Sequence, residues 1–282
     1  MSRILIAGCG FLGSHIGEQL CLEGHDVVGF RRNPPAIPSA IQYAKVDLTH
    51  PETLQDIQPD FDHIVVILSP DERSEQAYQA VFEVGLENLL AWLGESGQPI
   101  PLIFISSTSV YAQDQGEWVD EQSITQPSNF RGRIIAAAEQ RILQLDANNT
   151  VVRFSGIYGR STGPFSALTD ADDGIQFNPP YFTNRIHWLD CVGIIKFLLG
   201  KKLGSVSLSQ IYLATDSNPA PLWDVVAWMA ERLQKKPPAK KTMGATAAQN
   251  KRCNNRLIRQ EGYQFRYAEY KAGYNDFIYS GK

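Results

Sequence analysis

The chain predicts an α/β fold, a doubly wound parallel sheet with a small C-terminal lobe, and three observations carry that expectation. Short apolar runs rich in β-branched and aromatic residues alternate with longer helical patterns, a glycine-rich turn joins the first run to the first helix, and the regularity fades after Phe154. Such runs suit strands buried on both faces, and their alternation with helices implies right-handed crossovers into a parallel sheet. The expected strands are Ile4 to Ala7, Asp26 to Phe30, Ile41 to Val46, His63 to Leu68, Leu102 to Ser106 and Thr150 to Phe154. Helical spacing predicts Phe11 to Glu23, Ser74 to Glu95 and Gly132 to Leu145.

After Phe154, the stretch Gly156 to Pro180 is rich in Gly, Ser, Asp and Pro and reads as loop. A strand (Gln210 to Ala214), a helix (Leu222 to Leu233), a Lys/Pro linker (Gln234 to Lys241) and a helix around Lys251 to Gln260 follow. The expected division is a sheet domain over residues 1–160, completed by about 185–215, and a small lobe from about 161–184 and 216–282 over the sheet's carboxyl edge.

Composition excludes several classes. With 43% hydrophobic and 20% charged residues, and 22 Gly and 16 Pro without a period, neither disorder nor a fibrous repeat fits. A net charge of -4 offers no global field for nucleic acid or an acidic membrane. Cys9, Cys21, Cys191 and Cys253 lie far apart with no C-x-x-C pair, so buried free thiols are expected and no metal site. A strand pattern begins at Arg3 without a charged, apolar leader, and no apolar run reaches the roughly 20 residues that span a bilayer. The expectation is a cytoplasmic protein with no membrane segment.

The segment Ile6-Ala7-Gly8-Cys9-Gly10-Phe11-Leu12-Gly13 places glycines in a G-x-G-x-x-G pattern between a strand and a helix. Gly8 permits a tight turn, Gly10 lets backbone approach a pyrophosphate and Gly13 lets helix pack on strand. N–H groups at the helix start, at Phe11, Leu12 and Gly13, would face the anion. The expected ligand is NAD or NADP, bound by the sheet domain. The second strand ends in Arg31 and Arg32, with no acidic residue there to accept from ribose hydroxyls. Guanidinium groups suit a 2′-phosphate, so NADP is expected over NAD. Asp47 and Leu48 after the third strand, and Leu68 at the end of the fourth, complete the expected cofactor contacts; Asp47 would reach the adenine amino group or cap a turn.

Further segments resemble the extended short-chain dehydrogenase/reductase superfamily, the NAD(P)-dependent epimerase/dehydratase group that includes nucleotide-sugar enzymes. Val84-Gly85-Leu86-Glu87-Asn88-Leu89-Leu90 is similar to its "N-v-x-G-T-x-N-L-L" helix, and Ser106-Ser107-Thr108-Ser109-Val110-Tyr111 to its "SSxxVYG" strand end. Val152-Arg153-Phe154 with Ile157-Tyr158-Gly159 resembles "LRxxxVYG", and Arg185-Ile186-His187-Trp188-Leu189-Asp190 resembles "IHVxD". The resemblance implies that Ser107 hydrogen-bonds the reacting oxygen, and that a Tyr-x-x-x-Lys helix moves a proton as hydride passes to or from the nicotinamide. Here the chain departs from the pattern. Aligned by Ala137-Ala138-Glu139, the Tyr position holds Arg131 and the Lys position Ile135. Arg131 can stabilise an oxyanion but is a poor proton shuttle, and Arg133 points to another side of the helix. The sequence thus resembles the atypical branch of the superfamily, which keeps the cofactor and varies the active site.

The candidate catalytic residues are Ser107, Arg131 and Tyr111, with Tyr158 as another possible acid. His187 is expected to hold a loop rather than react, and Asp190 to cap a helix from Cys191 to Leu199. A second Tyr-x-x-x-Lys, Tyr267 and Lys271, lies outside the required context and is read as chance. From Arg232 to Arg259 every charged residue is basic, a surface that could meet an anionic substrate. The reading is an oxidoreductase or epimerase/dehydratase acting on a nucleotide-sugar-like or carbonyl small molecule, the alternative a catalytically silent NAD(P)-binding redox sensor. The helices Ser74 to Glu95 and Gly132 to Leu145 resemble the family's dimer interface, so a homodimer is expected.

Overall fold

The computed structural model describes residues 1–160, 174–244 and 250–280. The part of the expected loop and lobe at residues 161–173 lies outside these. The first strands are β1 (Arg3–Ala7), β2 (Asp26–Arg31), β3 (Gln42–Lys45), β4 (His63–Val66), β5 (Leu102–Ser107), β6 (Glu117–Val119), β7 (Thr150–Phe154) and β8 (Gly156–Tyr158). They are followed by β9 (Ile175–Asn178), β10 (Phe182–Thr183), β11 (Arg185–His187), β12 (Ile211–Ala214), β13 (Ala220–Pro221), β14 (Lys240–Thr242) and β15 (Lys251–Cys253). The helices are α1 (Phe11–Leu22), α2 (Glu75–Gln79), α3 (Leu86–Gly94), α4 (Phe130–Leu145), α5 (Trp188–Leu203), α6 (Leu222–Arg232), α7 (Arg256–Gln260) and α8 (Tyr270–Ser280).

Seven strands form the central sheet in the order β12-β7-β5-β4-β1-β2-β3, with flanking helices: a Rossmann-like α/β fold, as the sequence predicts. The pairs β1–β2, β1–β4, β2–β3 and β4–β5 are parallel. Ile4, Leu5, Ile6 and Ala7 have no exposure at all, which is why β1 reads as an unbroken apolar run. The order reverses at β1, so chain leaving β1 and chain leaving β4 diverge from a common edge, the usual place for a ligand crevice.

Two compact units divide the chain: residues 1–110, 127–153 and 192–212 in the first, residues 111–126, 154–191 and 213–282 in the second. Within the first, α4 starts on a capping bond from Gly132 N to the Asn129 side chain (2.9 Å). A Cβ on Gly132 would stand 2.4 Å from the Ser109 carbonyl oxygen and 2.5 Å from Pro127, so only glycine lets this helix start sit against the turn that follows β5. The buried Asn149 side chain accepts from Leu102 N (3.1 Å) and donates to the Ile142 carbonyl (2.9 Å), closing the far ends of β5 and α4.

The expected single helix Ser74 to Glu95 is three pieces: α2, a π-helical stretch Ala80–Gly85, and α3. The widened turn carries Phe82 inward, stacked on Tyr78 and edge-on to Phe104. Within the second unit, Tyr158, Ala220, Val225, Met229, Tyr270 and Tyr274 form a small core. The stretch expected as a helix from Lys251 is instead strand β15, paired in parallel with β6, and only Arg256–Gln260 is helical. Part of the expected linker is likewise β14, paired with β9. Cross-strand partners far apart in sequence decided both, and a local pattern cannot contain them.

Candidate functional site

A cleft of about 410 Å³ opens where β1, β2, β3 and β4 end. It is lined in turn by Gly8 and Gly10, by Arg31 and Arg32, by Asp47 and Leu48, and by Ile67, Leu68 and Asp71. Four strand ends separated widely in sequence thus converge, because a parallel sheet puts every carboxyl end on one edge. Of the expected cofactor contacts, Gly8, Gly10, Phe11, Arg31, Arg32, Asp47, Leu48 and Leu68 line the cleft; Leu12 and Gly13 do not.

Each glycine of the turn has a distinct physical reason. Gly8 has φ +85°, and a Cβ there would lie 2.0 Å from the Ile67 carbonyl oxygen. At Gly10 the nearest atom to an added Cβ is 4.0 Å away, so the backbone faces open space. A Cβ on Gly13 would meet Ile6 at 3.0 Å, which fixes how closely α1 lies on β1. No side chain caps the first turn of α1, and no acidic residue occupies it. That leaves the positive end of the helix dipole directed at the cleft.

The β2 end is more complicated than its sequence suggests. Arg32 donates to both carboxylate oxygens of Asp71, each at 2.6 Å. The hydrogen bond from Arg32 holds the Asp71 carboxyl below the usual range, against a small opposing effect of burial. Asp71 has no local motif; only its position one loop beyond β4 marks it, and it becomes visible once the sheet order is known. Asp47 accepts from Thr49 N (3.0 Å) and Thr49 Oγ1 (2.7 Å), so it does cap a turn. Burial alone would raise its pKa, but the Thr49 hydrogen bonds and the charges of Arg32 and His50 together hold it below the usual range. Val81, carried by the π-helical stretch, also lines the cleft and was not anticipated.

None of Ser107, Arg131 and Tyr111 lines this cleft. Ser107 Oγ accepts from Ser109 N (3.1 Å), which leaves its own hydroxyl proton to be donated elsewhere. Arg131 is exposed, one residue before the Gly132 that packs on Ser109, so the helix start and the strand end are neighbours. Ile135 is buried, at 6% exposure. Tyr111 is fully buried, and its hydroxyl donates to the Asp120 carbonyl (2.7 Å), so the proton it would give in a reaction is engaged in the fold.

In the second unit, burial drives the Tyr158 hydroxyl pKa well up, and the nearby Arg185 does not reverse it, so Tyr158 is not an activated acid. Its ring lies 4.5 Å from that of Tyr274. His187 packs against Tyr267 with ring centroids 4.1 Å apart and the planes tilted by 44°, and it accepts from Leu189 N through Nδ1. Burial, helped by Arg266, lowers its pKa to about 4. The expectation for Asp190 is corrected: α5 begins before it, and its buried carboxylate accepts instead from Arg266 N, Tyr267 N and the Tyr263 hydroxyl. Tyr267 donates to Asp276 and lies outside the helix that carries Lys271, so no Tyr-x-x-x-Lys face exists there.

The basic run is not one solvated face. Lys240 lies over Phe177 (4.0 Å) and Trp223 (4.6 Å), Arg252 over Phe182 and Trp118, and Lys251 is buried. Arg256 and Arg259, with Tyr263 and Phe265, line a depression of about 590 Å³. Among the described residues no cluster could hold a metal ion, and no helix is long and apolar enough to cross a membrane.

Residues 1–169 match the family described as RmlD substrate binding domain. Protein YeeZ of Escherichia coli K12 is 30% identical over 216 residues, 71% of this chain and 73% of its own. A solved chain from Methylobacillus flagellatus, named for the NAD-dependent epimerase/dehydratase class, is 32% identical with a TM-score of 0.82, covering 99% of this chain and 98% of that one. The dTDP-glucose 4,6-dehydratase of Bacillus anthracis, solved in complex with NAD, is similar in fold alone, with 17% identity, a TM-score of 0.78 and coverage of 99% and 96%. The chain belongs to the RmlD substrate binding domain family, among the atypical, extended short-chain dehydrogenase/reductases of the NAD(P)-dependent epimerase/dehydratase kind.

Proposed function

We propose that the chain is an NAD(P)-dependent oxidoreductase or epimerase/dehydratase that acts on a hydroxyl or carbonyl carbon of a nucleotide-sugar-like small molecule, with NADP preferred. The observation that carries this reading is the cleft at four strand ends, faced by the uncapped start of α1 and by open backbone at Gly10. These features fit a dinucleotide: N–H groups at the start of α1 for the pyrophosphate, and Arg31 and Arg32 at the β2 end where the adenosine ribose lies. The Bacillus anthracis dehydratase of the same fold holds NAD, which supports the reading.

The bound nicotinamide would supply or accept the hydride. Ser107 donates its free hydroxyl proton as a hydrogen bond to the reacting oxygen and orients it. Arg131, on the neighbouring helix start, stabilises negative charge developing there. With the Tyr111 hydroxyl engaged, the mobile proton passes through water or another tyrosine. The helices around Ala80 and Ile135 would serve a homodimer.

A second reading, a silent NAD(P)-binding redox sensor, is favoured by one observation: buried Ile135 replaces the lysine that would bind the nicotinamide ribose. NADPH oxidation by the purified protein, given a panel of ketoses, aldehydes and nucleotide sugars, separates the two. Turnover that falls at least about tenfold in Ser107→Ala and Arg131→Ala at unchanged cofactor affinity supports the enzyme. Tight cofactor binding without turnover on any substrate supports the sensor.

A further inference from the structure

We infer that Asp71 sets the balance between NADP and NAD in this cleft, by competing with a 2′-phosphate for the guanidinium of Arg32. The inference rests on the proposed dinucleotide reading of the cleft. Two arginines at the end of β2 would by themselves favour a 2′-phosphate strongly, since planar guanidinium groups pair bidentately with phosphate oxygens. In the structure one of the two is already engaged in that way. Both Asp71 oxygens accept from Arg32, at 2.6 Å each, and both residues line the cleft.

This geometry has two consequences for what binds at the β2 end. A 2′-phosphate must either displace Asp71 from Arg32 or accept Arg31 alone, and while Asp71 stays it meets a carboxylate held ionised by its arginine. A bare ribose hydroxyl meets no such repulsion, and Asp71 offers it the acceptor that the β2 end itself lacks. The acidic residue missing from the second strand is therefore supplied by the loop after the fourth. The pair is exposed on its outer side, with 46% and 69% of the two side chains accessible, so it is loose enough to be exchanged rather than locked.

Equilibrium binding of NADP+ and NAD+ to the full chain, by calorimetry, tests this on wild type, Asp71→Asn, Arg32→Gln and the double variant. Asp71→Asn is expected to tighten NADP+ by about tenfold, the size of one charge-assisted contact, and to change NAD+ by less than about threefold. In the Arg32→Gln background the same substitution should tighten NADP+ by less than about threefold, because release of Arg32 no longer contributes and only the direct repulsion by Asp71 is relieved. Equal tightening in that background would reduce Asp71 to a distant negative charge and overturn the inference, as would no tightening at all. If both dinucleotides bind wild type but Asp71→Asn shifts nothing, only this inference fails. If neither dinucleotide binds, the reading of the cleft fails with it.

Discussion

Arg153 and Glu139 form an ion pair in the interior of the first unit, with Arg153 Nη2 2.6 Å from Glu139 Oε2 and Nε 3.0 Å from Oε1, at side-chain exposures of 4% and 3%. The Ser106 hydroxyl donates to the same carboxylate, so β5, α4 and β7 meet at one polar centre inside an apolar core. Two buried charges in good geometry offset one another's desolvation; one alone does not. Arg153→Met should therefore destabilise the protein by about 3 to 5 kcal/mol in urea denaturation. The double variant Arg153→Met, Glu139→Leu should recover part of that loss. A single variant within about 0.5 kcal/mol of wild type would show that the pair contributes nothing.

Gly8→Ala and Gly10→Ala should separate folding from ligand binding. The first places a Cβ 2.0 Å from the Ile67 carbonyl at φ +85°, so it should lower the melting temperature clearly and abolish cofactor binding. The second places its Cβ in open space, so melting should stay within about 1 °C while NADP+ affinity falls at least about tenfold, because the methyl would stand where the proposed reading puts the pyrophosphate. Unaltered affinity in folded Gly10→Ala would remove the ligand from this turn.

Stability should fall with acid through His187. Its imidazole is neutral in the fold down to about pH 4 because burial and Arg266 disfavour the charge, whereas the unfolded residue takes up a proton near its ordinary pKa of about 6.5. Between those values the unfolded state binds more protons, so stability is full above about pH 6.5 and is lost as pH falls toward 4. Thermal melts across that window should show the loss, and His187→Asn, which keeps an acceptor for Leu189 N, should flatten the slope. An equal slope in the variant would assign the acid sensitivity to other groups.

Ile135→Lys should not restore a dehydrogenase helix. The side chain at this position is 6% exposed, so a lysine there would bring a charge into the core. We expect a loss of about 2 kcal/mol or more in denaturant, and no gain in turnover even when combined with Arg131→Tyr. A stable double variant with raised activity would show that the helix still presents the family's catalytic face.

The glycine turn was legible from sequence because its requirements are local: a strand, a positive φ at Gly8 and a helix start within a few residues. The inner strands of the central sheet were legible for a similar reason, since burial on both faces leaves an unbroken apolar run such as Ile4 to Ala7. The substitutions Arg131 and Ile135 could also be read, by alignment along one helix.

The sequence by itself thus determined the fold class and the glycine turn, and it placed Arg131 and Ile135 where the family's pattern has Tyr and Lys. Only the tertiary structure decided who partners whom: Asp71 with Arg32, Arg153 with Glu139, Asp190 with the backbone of Arg266 and Tyr267, and β15 with β6. Each of these contacts joins residues far apart along the chain, and their energies depend on burial and distance that no local pattern records. For that reason Arg32, which in sequence is an open invitation to phosphate, is in the folded protein already held by a carboxylate.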